Sequence, residues 1–113
     1  MSTVSTHVLD TARGRPAAGV RVRLDAATGD GWDRVGATTT DDDGRAPDLL
    51  GPDARVQPGV YRLIFDTGAW FAEQGVPHFH PHVTVAFEVT GGDDHCHVPL
   101  LLSPFGYSTY RGS

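Results

Sequence analysis

The sequence contains no lysine; all nine of its basic residues are arginine. Schiff-base catalysis and a P-loop phosphate grip both need a lysine amine, so both are excluded. Cysteine is almost as scarce. The single Cys96 cannot make an internal disulfide, so the fold is not expected to need an oxidising compartment. No apolar run approaches the roughly 20 residues of a membrane span. The N-terminus Met-Ser-Thr-Val-Ser-Thr-His lacks the basic segment and apolar stretch of a signal peptide. Basic charge is also in deficit: nine arginines against 14 acidic residues leave a net charge of −5, which argues against nucleic acid and anionic membranes as partners. Missing too are the nucleophile elbow of a serine hydrolase, the dinucleotide glycine fingerprint, and the C-x-x-C and H-E-x-x-H motifs. The expectation is a cytoplasmic enzyme or binding protein.

What is present fits one domain of 113 residues, with 39% hydrophobic and 20% charged residues, large enough to bury a core without staples. Ser5 to Asp10 reads as a strand closed by the turn-forming Ala-Arg-Gly-Arg-Pro stretch. Gly19 to Asp25 alternates, with Val20, Val22 and Leu24 to one side and Arg21, Arg23 and Asp25 to the other. Trp32 to Thr40 is a further strand, and Asp41-Asp-Asp-Gly44 a tight acidic turn. Residues 46–58 read as a loop, perturbed by proline and glycine, with room for one irregular strand. Gly59 to Asp66 has the apolar content of a central strand. Thr67 to Gln74 is the one plausible helix, with Thr67 as cap and Gly75 and Pro77 as its stop. His82 to Thr90 alternates again, with Val83, Val85, Phe87 and Val89 inward. Gly91-Gly-Asp-Asp94 turns the chain into a strand from His95 to Ser103, and Pro104 to Gly106 leads to a last strand. Seven to eight short strands with one helix predict an all-β, two-sheet antiparallel sandwich.

The chain's end is unusual in combining titratable groups, a leucine run and polar terminal residues. In a strand, Cys96, Val98, Leu100 and Leu102 share the core face, and His95 and His97 share the other. Cys96 reads as a small core residue rather than a nucleophile. The two histidines fit either a solvated strand face or acid–base chemistry near neutral pH, and His7 raises the same alternative. Arg45, directly after the acidic turn, is either a surface partner of Asp43 or Asp48 or a planar fork for a carbonyl-rich or anionic ligand. His78, His80 and His82 alternate as metal ligands can, but Pro81 interrupts the strand between them and no acidic ligand is near. They read as a polar loop, and no metal is expected.

Three stretches together resemble a known family: Ser5-Thr-His-Val-Leu-Asp10, the pair Gly44-Arg45 after the acidic turn, and the run from His97 through Pro99, Leu100 and Tyr107 to Tyr110-Arg-Gly-Ser113. They are similar to the transthyretin-related 5-hydroxyisourate hydrolases of urate breakdown, and the terminal Tyr-Arg-Gly-Ser is the most specific of the three. The resemblance implies a transthyretin-like sandwich and a homotetramer, a dimer of dimers, with active sites in clefts at the dimer–dimer interface. It implies hydrolysis of the N1–C6 amide of 5-hydroxyisourate, without metal or cofactor, to 2-oxo-4-hydroxy-4-carboxy-5-ureidoimidazoline. Carried over residue by residue, it puts His7, Arg45, His97 and Ser113 in the catalytic set. Tyr110, Arg111 and Gly112 become substrate-binding residues, with His95 beside them at the strand start. The chain departs from the family in the His78–His82 stretch. Two rival readings remain from other classes: a transthyretin-like small-molecule carrier without catalysis, and a histidine-rich metal-binding module.

Overall fold

The computed structural model describes residues 1–47, 49–51, 54–92 and 95–113. Eight strands and one helix follow in the order β1 (Thr3–Asp10), β2 (Arg15–Pro16), β3 (Arg21–Ala27), β4 (Trp32–Thr39), β5 (Gly59–Phe65), α1 (Thr67–Glu73), β6 (Val83–Val89), β7 (His95–Ser103) and β8 (Gly106–Thr109). They form two four-stranded sheets, ordered β2-β1-β7-β8 and β4-β3-β5-β6. The predicted sandwich is therefore present, with β5 at an interior position.

One sheet departs from an antiparallel pattern. β1 and β7 run parallel, with Thr3 opposite His95, Ser5 opposite His97 and Asp10 opposite Leu102; the other strand pairs are antiparallel. Side chains alternate with period two in either direction, so residue pattern carries no information on strand polarity. Along β1 the alternation is complete. Val4, Thr6, Val8 and Asp10 are buried, and Thr3, Ser5, His7 and Leu9 are half-buried on the opposite face. On β7 the buried set is Cys96, Val98, Leu100 and Leu102, joined by Pro99. Val4, Val8, Cys96, Val98, Leu100 and Leu102 meet Leu24, Leu63, Phe65 and Val83 of the second sheet in a single core cluster.

Two local expectations are corrected, and one outer residue is more deeply covered than its place predicts. Asp25, expected on the outer side of β3, is 3% exposed. It keeps that side, opposite Arg62 in an unbroken register with β5, and is buried because two arginines cover it. Its carboxylate is held by Arg23 at 3.0 Å and by Arg62 at 2.9 Å, as a buried charge requires, and the Arg62 guanidinium also lies 4.3 Å from the Trp32 ring centroid. Thr67 does not cap α1: Asp66 is the N-cap, with no side-chain cap hydrogen bond, and Thr67 is already helical and buried. The last strand ends at Thr109 rather than at the terminus, and the chain then rejoins β7 through a bridge between Gly112 and His97. In the loop of residues 46–58, Val56 bridges to Ser2; positions 48, 52 and 53 lie outside the described residues, as do Asp93 and Asp94 of the turn before β7. Among the described residues no helix is long and apolar enough to cross a membrane.

Leu100 is fully buried at the centre of the core. Leu100→Ala is expected to cost about 2–5 kcal/mol, the usual range for a truncated core leucine, read as a lower denaturant midpoint at unchanged slope.

Candidate active site

Three segments distant in sequence meet on the outer face of the β2-β1-β7-β8 sheet. Parallel pairing brings the polar face of β1, with Thr3, Ser5 and His7, alongside His95 and His97 of β7. Ser5 Oγ lies 2.7 Å from His97 Nδ1 and 2.9 Å from His95 Nε2. Thr3 Oγ1 is hydrogen-bonded to the remaining ring nitrogen of His95, Nδ1. The two imidazoles lie nearly parallel, with centroids 6.3 Å apart and 15° between planes.

The acidic turn supplies the second wall. Asp41 organises it: its Oδ1 accepts the backbone N–H of Asp43 at 2.9 Å and of Arg45 at 3.0 Å. The aspartate cluster thus shapes the turn, and among the described residues no carboxylate forms an ion pair with Arg45; Asp48 lies outside them. Gly44 packs directly on β1, its carbonyl accepting the Val8 N–H at 2.7 Å. Its φ is +77°, and a Cβ there would stand 2.3 Å from the Val8 carbonyl oxygen, so only glycine fits. The contact sets Arg45 opposite His7 in a bridge, with the Arg45 side chain exposed. His7 Nε2 donates to the Asp43 carbonyl at 2.7 Å. A carbonyl can only accept, so this nitrogen carries the proton, and Nδ1 of the neutral ring is left as an acceptor.

The chain's end forms the third wall. Gly112 N–H donates to the His97 carbonyl at 2.8 Å, and a Cβ on Gly112 would lie 2.4 Å from His97 Cδ2. The tail therefore lies flat against the imidazole, which any larger residue would prevent. Tyr110 and Arg111 join His97, with Phe87 and Glu88 of β6, around a groove of about 310 Å³. Ser113 follows Gly112 as an exposed residue.

His97 is the electrostatic centre of the arrangement. Its pKa is lowered from the ordinary histidine value, first by burial and then by the positive charges of His95, Arg45 and His7; the hydrogen bond with Ser5 opposes the shift. Those charges act on His97 because the fold has gathered all three groups around it. With Nδ1 engaged by Ser5, Nε2 is the nitrogen left to meet a ligand. A neutral imidazole beside a guanidinium can take a proton from water while the cation stabilises a developing oxyanion.

The structure thus groups His7, Arg45, His95, His97 and Gly112, with Tyr110 and Arg111 beside them. Two participants escape a motif-based reading: Ser5, which bridges the histidines, and the Asp43 carbonyl, which fixes the His7 tautomer. Period-two alternation does put Ser5 on the face of His7, but its partner on β7 depends on the register. The histidine trio is dispersed. His78 stacks on Phe71 and His80 meets the edge of Tyr107, while His82 borders a groove on the second sheet beside Arg21 and Arg34. Among the described residues no three histidine, cysteine or acidic side chains gather as a metal site would require.

A sequence model of the HIUase/Transthyretin family matches residues 4–112. The 5-hydroxyisourate hydrolase of Mus musculus is 46% identical over 114 residues, covering 99% of this chain and 96% of its own. The solved structure of Klebsiella pneumoniae 5-hydroxyisourate hydrolase is similar over 100% of both chains, at 39% identity and a TM-score of 0.87. Sea bream transthyretin, solved in complex with thyroxine, reaches a TM-score of 0.87 at 34% identity, over 96% of this chain and 93% of its own.

Protonating His97 would put a positive charge on a half-buried ring close to His95, Arg45 and His7, so its titration midpoint is expected below the ordinary histidine range. Imidazole NMR of the folded protein reads this directly. His95→Gln removes one opposing charge and is expected to move the midpoint upward.

Proposed function

The chain belongs to the HIUase/Transthyretin family, and on that premise we propose that it hydrolyses 5-hydroxyisourate, opening the six-membered ring at the N1–C6 amide as a step of urate breakdown. Its similarity to named hydrolases of this substrate, at 46% and 39% identity across nearly whole chains, supports the assignment. The observation that carries the chemistry is His97, an imidazole biased toward its neutral form with Arg45 and His7 gathered around it.

In this reading His97 Nε2 takes a proton from water as the oxygen adds to C6. The Arg45 guanidinium orients the substrate and stabilises the oxyanion at C6. His7 offers an acceptor at Nδ1 and positions the water through its second hydrogen, a role suited to the tautomer that Asp43 imposes. As the tetrahedral intermediate collapses, the C6–N1 electron pair goes to N1, which takes a proton from His97, and the carboxylic acid left at C6 releases its proton to solvent to become a carboxylate. Tyr110, Arg111 and Gly112, with His95, form the substrate wall, and the Ser113 hydroxyl closes it by donating to a ring oxygen. The ring amide is activated, so hydrolysis by these groups needs no metal or cofactor.

A homotetramer, a dimer of dimers with sites at the dimer–dimer interface, completes the proposal. β8 and β6 are edge strands of their sheets, each offering unpaired backbone groups to a neighbouring copy. Phe79, Phe105 and Tyr110 are 73%, 70% and 56% exposed in the single chain, which favours a covering partner. A cytoplasmic setting is part of the same reading, supported by a single, buried cysteine that can form no internal disulfide.

Sea bream transthyretin shares the fold with a bound hormone, so the carrier alternative has a specific basis. Enzymatic turnover separates the two. Freshly generated 5-hydroxyisourate should lose its absorbance rapidly with the wild-type protein. His97→Asn, His7→Asn and Arg45→Ala should each lower kcat/KM by roughly a hundredfold or more, the scale of a lost acid–base or oxyanion group. Residues appended after Ser113 should impair turnover while leaving a particle of about 48 kDa, four times 12.1 kDa. Near wild-type rates in all three folded variants would remove the assignment.

A further inference from the structure

The side chains of Thr3, His95, Ser5 and His97 form one continuous hydrogen-bonded chain: Thr3 Oγ1 to His95 Nδ1, His95 Nε2 to Ser5 Oγ at 2.9 Å, and Ser5 Oγ to His97 Nδ1 at 2.7 Å. A hydroxyl owns one proton, so Ser5 donates to only one of its two imidazole partners and accepts from the other. Two proton arrangements follow. If Ser5 donates to His95, then His97 carries its proton on Nδ1, and Nε2 presents a lone pair. If Ser5 donates to His97, then Nε2 of His97 carries the proton and can only donate. The state of the ring that meets the ligand is thus tied, through one hydroxyl, to the state of a second ring.

We propose that Ser5 is a positioning and relay residue that switches His97 between base and acid by exchanging protons with His95. The inference rests on the hydrolytic reading above and deepens it. In the starting arrangement Ser5 donates to His95. As water attacks C6, its O–H bond breaks and that proton goes to His97 Nε2. The Nδ1 proton of His97 passes to Ser5 Oγ, and the Ser5 proton passes to His95 Nε2. One positive charge is thereby moved from half-buried His97 to exposed His95, where water solvates it. When the C6–N1 bond breaks and its electron pair goes to N1, the sequence reverses. N1 takes the proton on His97 Nε2, Nδ1 is reprotonated from Ser5, and Ser5 recovers its proton from His95. One water is consumed and the chain returns to its starting state.

The surroundings favour such a transfer. The Arg45 guanidinium acts on His97 with a fixed positive charge, and Arg111 and Glu88 border the groove that His97 lines. A cation held at His97 would be opposed by its own desolvation and by that guanidinium, whereas the relay takes it toward the strand start. Thr3 fixes the far end, since its hydroxyl accepts from His95 Nδ1 in one arrangement and donates to it in the other.

Two measurements test the relay, one of them independent of turnover. Steady-state kinetics in mixtures of light and heavy water should give a curved dependence of kcat for the wild type, because several protons move together. Ser5→Ala should lower kcat by roughly ten- to a hundredfold, a fraction of a full acid–base contribution, with KM little changed and the curvature lost. Ser5→Thr keeps the hydroxyl and should restore most of both. A Ser5→Ala enzyme with wild-type kcat and the same curvature would overturn the proposal. Nitrogen NMR of the imidazoles, without substrate, reads the coupling itself. Protonating His95 makes both its nitrogens donors, so Ser5 must donate to His97, and the His97 tautomer should switch in the wild type but not in Ser5→Ala. No switch in the wild type would also overturn the relay. A switch in a protein that leaves 5-hydroxyisourate untouched would uphold the relay and remove the hydrolytic reading.

Discussion

The parallel pairing of β1 with β7 is the constraint on which the site depends. It joins segments some ninety positions apart in sequence, from Thr3 opposite His95 to Asp10 opposite Leu102, and one set of alternations serves both faces at once. Inward, Val4, Val8, Val98, Leu100 and Leu102 enter the core. Outward, Ser5 falls between the rings of His95 and His97. A slip of one residue would reverse every side chain on the strand, exposing the leucines and burying the histidines. The hydrophobic core therefore fixes the register, and the register fixes the chemistry.

Secondary attachments to that pair set the positions of the remaining groups. Gly44 lies against β1 because its missing Cβ allows contact with the Val8 carbonyl, and Gly112 lies against the His97 ring for a similar steric reason. Each glycine brings a polar neighbour with it, Arg45 in one case and Arg111 in the other. The resulting cluster of His7, Arg45 and His95 makes the cationic form of His97 unfavourable beyond what burial alone does. The same shift has a consequence for stability. As pH falls, the unfolded chain takes up a proton on this histidine before the folded one does. The folded state therefore loses stability as pH drops through the ordinary histidine range, and the loss levels off below the lowered folded pKa.

Much of this was legible in the sequence, and the illegible parts share a cause. Apart from β2, whose Arg15 and Pro16 read as part of a turn, the strands, the helix at residues 67–73 and the two faces of β7 follow from residue pattern and turn residues. The assignment of His7, Arg45 and His97 to a single site came from a resemblance, because no spacing in the chain relates them. The burial of Asp25 escaped because it comes from Arg23 and Arg62 closing over the carboxylate, a contact that alternation does not show. The parallel sense of β1 and β7 escaped because alternation is blind to direction. Ser5 was visible only as part of a motif around His7; its bond to His97 exists only once the register is known.

In the proposed reaction His97 works as a base because its surroundings keep it neutral. The most direct measurement compares the acid limb of kcat/KM for 5-hydroxyisourate with the titration of His97 in the free enzyme. Both should share one midpoint, below the ordinary histidine range, and both should move upward together in His95→Gln. An acid limb that sits at the ordinary histidine value, and stays there when the His97 titration moves, would contradict it.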